Sequence, residues 1–86
     1  MAITHFRLYS RSYCHLCDDM LGALQALSGD FVFTVEVVDV DADEELVAQY
    51  DELVPVLMGS RGGAAMMQLC HYFLDEAKVR SFLAGA

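Results

Sequence analysis

Two cysteines separated by two residues stand where the periodicity of this sequence changes. Upstream, Ile3 to Tyr9 alternates and is rich in β-forming residues, which predicts a first strand. Downstream of Cys14, apolar residues recur at helical spacing, which predicts a helix that begins at or beside the cysteine pair. The predicted apolar stripe of this helix comprises Leu16, Met20, Ala23, Leu24 and Leu27. Cys14 and Cys17 therefore lie between a strand and a helix N-terminus.

This position favours redox chemistry at Cys14 and Cys17. A pair at this spacing closes a disulfide with little movement of the backbone. The unpaired N–H groups and partial positive charge of a helix N-terminus stabilise a thiolate, and in such motifs a thiol pKa falls to ~3.5–7.5. Because the thiolate is the nucleophile in disulfide exchange, we expect Cys14 to attack and the more shielded Cys17 to resolve the mixed disulfide. The alternative is a buried, inert pair.

The charged neighbours of Cys14 act in opposite directions. Arg11 and a protonated His15 would lower the pKa of the Cys14 thiol, because a nearby positive charge favours the thiolate. Asp18 and Asp19, in the first helical turn, would raise it.

Beyond the predicted stop of this helix at Gly29, a second strand and a short second helix are indicated. Phe31 to Val40 is almost continuously apolar and β-branched, which is typical of a strand covered on both faces. The acidic cluster over residues 39–45 is best explained as a helix start, with Asp41 and Glu44 at capping-box spacing. A metal site is the weaker explanation, because hard-cation loops need ligands at fixed alternate positions and a turn glycine. The helix that follows contains Leu46, Val47 and Tyr50.

A hairpin and a last helix are predicted for the C-terminal third. Strands over residues 54–58 and 65–70 flank the turn sequence of residues 60–63. Asp75 is the expected N-cap of the final helix, with Leu74 and Val79 at the two positions of a hydrophobic staple. Val79, Phe82 and Leu83 are expected to face the core.

The predicted element order is β-α-β-α-β-β-α over one domain, residues 1–86, in the α/β class. The first two strands flank a helix, so they should be parallel with a right-handed crossover, and the hairpin adds antiparallel strands. We therefore expect a mixed four-stranded sheet with helices on both faces.

Composition narrows the classes of partner and compartment. The chain has a formal charge of −8, which repels phosphate backbones and anionic membrane surfaces, so neither nucleic acid nor a membrane is an expected partner. Three cysteines is an odd number, unlike the even frameworks of small secreted scaffolds, and the first ten residues lack the order of a secretory signal. We expect a soluble, cytoplasmic, monomeric protein.

The sequence Leu53-Val54-Pro55 marks a second position of interest. Proline at the beginning of a strand is unusual in a hydrogen-bonded sheet. If the Val54–Pro55 bond is cis, the turn exposes the backbone of Val54 beside the cysteines, and a free N–H and C=O there could pair with an extended thiol-bearing peptide. The alternative is an ordinary trans proline at a strand edge.

Together, these features resemble the glutaredoxin branch of the thioredoxin superfamily over nearly the whole chain. The resemblance rests on the first strand, on the segment YSRSYCHLC at residues 9–17, and on Leu53-Val54-Pro55 before a hairpin. It implies a sheet order of 2-1-3-4, a cis Pro55, Cys14 as the nucleophile and Cys17 as the resolving thiol. It also implies substrate contacts from Arg11, Tyr13, His15, Val54, Pro55 and Asp75. The expected activity is thiol–disulfide exchange with protein or low-molecular-weight disulfides, with no bound cofactor.

Three departures from the family pattern concern the reduction potential and the glutathione site. His15 and Leu16 replace the family's usual proline and tyrosine between the two cysteines, and because these two positions tune the reduction potential, its value stays open. His71 and Tyr72 stand where the family has a diglycine ahead of the last helix, although Asp75 matches the acidic residue that follows. Glycine there lets a ligand lie against the backbone. Two bulky side chains would crowd that site, so glutathione is a doubtful electron donor.

Two further function classes stay open. The first is a carrier of a soft metal ion on Cys14 and Cys17, although small metallochaperones follow a β-α-β-β-α-β order. Adding Cys70 and His71 as zinc ligands is disfavoured because adjacent ligands lack the usual spacing, and Cys70 is better explained as a small core residue. The second is a non-catalytic module that holds a peptide in the groove at Pro55.

Overall fold

The computed structural model describes residues 3–85, and its element order is the predicted one. The strands are β1 (Thr4–Ser10), β2 (Phe33–Asp39), β3 (Val56–Arg61) and β4 (Met67–His71). The helices are α1 (His15–Gln25), α2 (Glu44–Tyr50) and α3 (Glu76–Leu83), with short 3₁₀ turns at Ala26–Gly29 and Val40–Ala42.

The four strands form one mixed sheet in the order β2-β1-β3-β4, as expected. β1 is parallel to β2 and antiparallel to β3, and β3 is antiparallel to β4. The register aligns Ser10 with Asp39, Tyr9 with Val56, and Val56 with His71. These positions share one end of the sheet, which we call the cysteine end because β1 runs from it into Cys14.

Helices cover both faces of the sheet. One face carries the larger core, in which side chains of β1, β3 and β4 pack against α1 and α3; its buried members are Phe6, Leu8, Met20, Leu24, Leu27, Leu57, Leu69 and Val79. The other face carries a smaller cluster around Tyr9, Val40 and Val56, against which Tyr50 of α2 stacks with ring centroids 4.5 Å apart. Because neighbouring residues of a strand point to opposite faces, Leu8 and Tyr9 serve the two clusters.

The prediction that β2 is covered on both faces is wrong. Alternate residues of β2 are exposed, and Val37 retains half of its accessible surface. The cause is position, because β2 is an edge strand with a neighbouring strand on one side only.

Two details of the helices also differ from expectation. Leu16 and Ala23 of the predicted apolar stripe are exposed, and Cys17 takes a place on the buried face of α1 beside Met20. The N-cap of α2 is Asp43, whose carboxylate accepts the Glu45 N–H at 2.9 Å.

Candidate functional site

Cys14 is the N-cap of α1. Its backbone is extended, with φ −111° and ψ 103°, and its Sγ accepts a hydrogen bond from the Cys17 N–H at 3.1 Å. The sulfur thus occupies the place of the oxygen atom that usually accepts from the first turn of a helix. Partial positive charge at this helix end favours negative charge on that sulfur.

Cys14 and Cys17 form a disulfide, with their Cα atoms 5.2 Å apart. The two residues differ in access, because Cys14 is partly exposed whereas Cys17 is only 3% exposed and lies among core residues of α1. An incoming thiol or disulfide therefore reaches Cys14 first.

A shallow cavity of about 240 Å³ opens beside Cys14 and is lined by Tyr13, Cys14, His15 and Asp18. Tyr13 has a φ of 58° and a fully solvent-exposed ring, so the chain turns sharply just before the N-cap. His15 is the exposed first residue of α1. The cavity thus gathers aromatic, imidazole and carboxylate groups around one sulfur.

Arg11 is paired with a carboxylate of the neighbouring 3₁₀ turn. Its Nε and one terminal nitrogen donate to the two carboxylate oxygens of Asp41 at 3.2 and 2.8 Å. Hydrogen bonds and charge from Asp41 raise the pKa of the guanidinium. The sequence assigned Asp41 to a helix start; the pair follows from the parallel register, which aligns Ser10 with Asp39 and so brings the residues just beyond them together.

The Val54–Pro55 peptide bond is cis, as the resemblance implies. Pro55 is buried and directly precedes β3, at the cysteine end. However, the expectation of a free Val54 N–H is wrong in this conformation. The N–H groups of Leu53 and Val54 both donate to the carbonyl oxygen of Tyr50, at 2.9 and 3.0 Å.

Tyr72, which the sequence predicts to crowd the site, also makes specific contacts with the loop before β3. It follows β4 with a φ of 65°, and its N–H donates to the Pro55 carbonyl at 2.9 Å. Its hydroxyl donates to the Glu52 carbonyl at 2.6 Å. Its place at the position of the family's diglycine indicates a contact with the loop, but not these two hydrogen bonds.

Asp75 caps α3, as predicted, by accepting the Lys78 N–H at 3.1 Å. It also lines a second cavity, of about 440 Å³, that shares no residue with the cavity at Cys14. The lining residues are Gln68, Leu69, Cys70, His71, Phe73, Asp75 and Lys78. Burial raises the pKa of the Cys70 thiol, partly offset by a hydrogen bond from the Asp75 backbone.

Among residues 3–85, no group of three or more His, Cys, Asp or Glu side chains is arranged to hold a metal ion. In the same part of the chain, no helix is both long enough and apolar enough to span a membrane.

Comparisons with known proteins agree with this geometry. A family model described as "Glutaredoxin-like domain (DUF836)" matches residues 5–84. The solution structure of protein Ne2328 from Nitrosomonas europaea is 34% identical with a TM-score of 0.82, covering 94% of this chain and 92% of that one. A structural-genomics target protein from X. campestris is 31% identical with a TM-score of 0.62, covering 94% and 97%.

A thioredoxin from Fasciola hepatica, 21% identical with a TM-score of 0.67, shares the fold, with 96% of this chain and 80% of that one covered. No curated protein matches the chain.

Proposed function

Because this chain belongs to the glutaredoxin-like domain family, we propose that it is a thiol–disulfide oxidoreductase acting by dithiol exchange through Cys14 and Cys17. One observation carries the proposal. The accessible Cys14 sulfur lies at the N-cap of α1 and is disulfide-bonded to the buried Cys17, one helical turn away. The proposed substrates are protein or low-molecular-weight disulfides in the cytoplasm, and the proposed active form is a monomer.

The reaction runs in two exchange steps. The Cys14 thiolate attacks one sulfur of the substrate disulfide, forming a mixed disulfide and releasing the first product thiolate, which takes up a proton. The Cys17 sulfur, as thiolate, then attacks the Cys14 sulfur, closing the Cys14–Cys17 disulfide and releasing the second thiol. Two electrons pass from the dithiol to the substrate, and the same steps in reverse oxidise a substrate dithiol.

The test compares single-cysteine variants of the pre-reduced protein in the reduction of 2-hydroxyethyl disulfide. Cys14→Ser should abolish exchange, because it removes the only accessible nucleophile of the pair. Cys17→Ser should accumulate a mixed disulfide on Cys14, visible as an added mass. Cys70→Ser is the matched control and should keep the wild-type rate, since Cys70 lies on β4 in a separate cavity. Wild-type turnover by Cys14→Ser would refute the proposal.

Equilibration of the Cys14–Cys17 pair against glutathione buffers gives a second readout. A reversible two-electron midpoint between roughly −120 and −270 mV places the protein among working oxidoreductases. An unreactive pair over that range would contradict the proposal.

A further inference from the structure

In the loop that precedes β3, two N–H groups and two carbonyls of residues 52–55 are hydrogen-bonded within the protein. The N–H groups of Leu53 and Val54 donate to Tyr50, and Pro55 has no N–H. The carbonyls of Glu52 and Pro55 both accept from Tyr72, one from its hydroxyl and one from its backbone. An extended peptide that paired with this loop as an added strand would first have to displace these partners.

The position of the Tyr72 side chain follows from the same two bonds. Its backbone N–H donates to the Pro55 carbonyl and its hydroxyl donates to the Glu52 carbonyl. The side chain therefore extends alongside the two residues between them, Leu53 and Val54. The ring also packs against His71, with centroids 4.7 Å apart, and Tyr72 as a residue is 39% exposed. It thus lies between solvent and the loop beside Pro55, at the cysteine end of the sheet.

The backbone of Tyr72 is held in a conformation that tyrosine seldom adopts. Its φ is 65°, and the Phe73 N–H donates to the His71 carbonyl at 2.7 Å across it. A three-residue turn with positive φ is rare and strained for a residue with a Cβ. Such outliers persist where the surrounding contacts over-determine them and often mark functional positions. Here the hydroxyl bond to Glu52 and the backbone bond to Pro55 are those contacts.

We propose that Tyr72 is a specificity-determining residue that closes the backbone groove beside Pro55 against peptide-like thiols such as glutathione, and so directs the enzyme to disulfides that reach Cys14 without pairing with residues 52–55. This inference rests on the proposed function and names its substrate class. Tyr72 acts by covering the loop and holding it in place, and it takes no part in the electron transfer. Removing the side chain frees the Glu52 carbonyl and uncovers the loop, while the backbone N–H of residue 72 still donates to the Pro55 carbonyl.

The test uses the ratio of two rates measured on the pre-reduced, full-length protein. One substrate is oxidised glutathione, which carries a peptide backbone, and the other is 2-hydroxyethyl disulfide, which carries none. In each case the dithiol becomes the Cys14–Cys17 disulfide and the substrate becomes two thiols. Tyr72→Gly, which suits the positive φ, should raise the ratio of the glutathione rate to the hydroxyethyl rate by up to about tenfold, the worth of one gained backbone hydrogen bond.

Two further variants sharpen the result. Tyr72→Phe keeps the ring but loses the hydroxyl bond to Glu52, so it should raise the ratio by a smaller factor. Phe73→Ala, at the exposed neighbouring position, should leave the ratio unchanged. An unchanged ratio in a folded Tyr72→Gly protein, verified by circular dichroism, would overturn the inference. If Tyr72→Gly does not fold, the ratio is measured on Tyr72→Phe, and an unchanged ratio in that variant would overturn the inference.

The design separates this inference from the proposed function. If the wild type reduces 2-hydroxyethyl disulfide while the ratio stays fixed in the Tyr72 variants, only the role of Tyr72 is refuted. If the wild type reduces neither substrate, the proposed function fails and the inference fails with it.

Discussion

The cysteines of this chain lie in two contrasting environments. Cys14 caps a helix and faces a cavity, where an N–H donor and the helix end stabilise negative charge on its sulfur. Cys70 lies half-buried in β4, opposite Leu57, where withdrawal from water disfavours the thiolate and raises the pKa of the thiol. Burial therefore keeps Cys70 protonated over a wider range of pH than a free thiol, although one backbone N–H donates to it.

We predict that Cys70 alkylates with a midpoint above the ordinary thiol pKa of ~8.5. In the oxidised protein Cys70 is the only thiol, because the chain has three cysteines and two of them are joined. The rate of iodoacetamide labelling against pH, followed by intact mass, gives the midpoint directly. The same titration in denaturant is the control and should return the ordinary value. A folded-state midpoint at or below the denatured one would contradict the burial argument.

The raised pKa of Cys70 also makes the free energy of unfolding depend on pH. Above the pH at which the unfolded thiol ionises, the folded protein still holds its proton, so the unfolded state binds fewer protons. The free energy of unfolding then falls as pH rises through this window, and it is unaffected by Cys70 below the window. In Cys70→Ala, the free energy of unfolding of the oxidised protein should therefore fall less steeply with pH over this window. Urea-unfolding curves recorded across the window measure the difference.

At the scale of whole elements, two glycines test how tightly the helices are packed. Gly22 lies on the exposed side of α1 with no heavy atom within 4 Å of an added Cβ, so Gly22→Ala should stabilise the protein by about 1 kcal/mol.

A Cβ at Gly59 in β3 would lie 2.9 Å from Leu69 Cδ1 and 2.9 Å from Phe82 Cε2. Gly59→Ala should therefore cost about 1–3 kcal/mol, because it overpacks the contact between the sheet and α3.

Urea unfolding at constant m-value measures both changes on one scale. Each glycine serves as the control for the other, since both variants add a single methyl group. Equal effects of the two substitutions would show that β3 and α3 are not in the close contact described here.

The elements themselves were predictable because each has its own local signal. Period-two and period-3.6 patterns indicated the strands and helices, Asp75 indicated the start of α3, and the glycines at 62 and 63 indicated the hairpin turn, where both have positive φ. What local patterns do not contain is the order of strands across the sheet. The exposure of β2 follows from its edge position, which came only from the family resemblance.

The site was predictable in part for the same reason. Cys14 and Cys17 are neighbours in sequence, so their chemistry could be inferred directly. Arg11 meets Asp41, and Tyr72 meets Glu52, across 30 and 20 residues. Such pairings depend on strand register and on a backbone turn with positive φ at a tyrosine, which sequence preferences argue against. The residues that modify the site were therefore the ones that needed the structure.

At the scale of the whole molecule, the distribution of charge leaves little free positive potential. Thirteen acidic residues face five basic ones. Three of the five basic residues are in ion pairs, Arg7 with Glu36, Arg11 with Asp41, and Arg80 with Glu76 and Asp30. A fourth, Arg61, lies over the ring of Phe82, 4.6 Å from its centroid. Anionic substrates therefore approach a surface whose net field opposes them.

We predict that this field orders small disulfides by their charge. At low ionic strength, reduction of cationic cystamine should be faster than that of neutral 2-hydroxyethyl disulfide, and anionic oxidised glutathione should be slowest. Raising the salt from 0.01 to 0.1 M shortens the Debye length from ~30 to ~10 Å, so the cystamine rate should fall and the glutathione rate should rise. The hydroxyethyl rate is the internal control and should not change. Salt-independent rates for both charged substrates would contradict a role for net charge.

Salt also separates this long-range effect from the contact effect of Tyr72. Screening acts on the approach of the anion and should speed oxidised glutathione in every variant. The Tyr72 ring and its hydroxyl bond to the Glu52 carbonyl act at contact and are not removed by screening. The increase in the oxidised-glutathione rate caused by Tyr72→Gly should therefore persist at high salt. The substitution and the salt should multiply that rate independently. A gain that disappears at high salt would mean that the substitution changed the field around Cys14 rather than access to the loop.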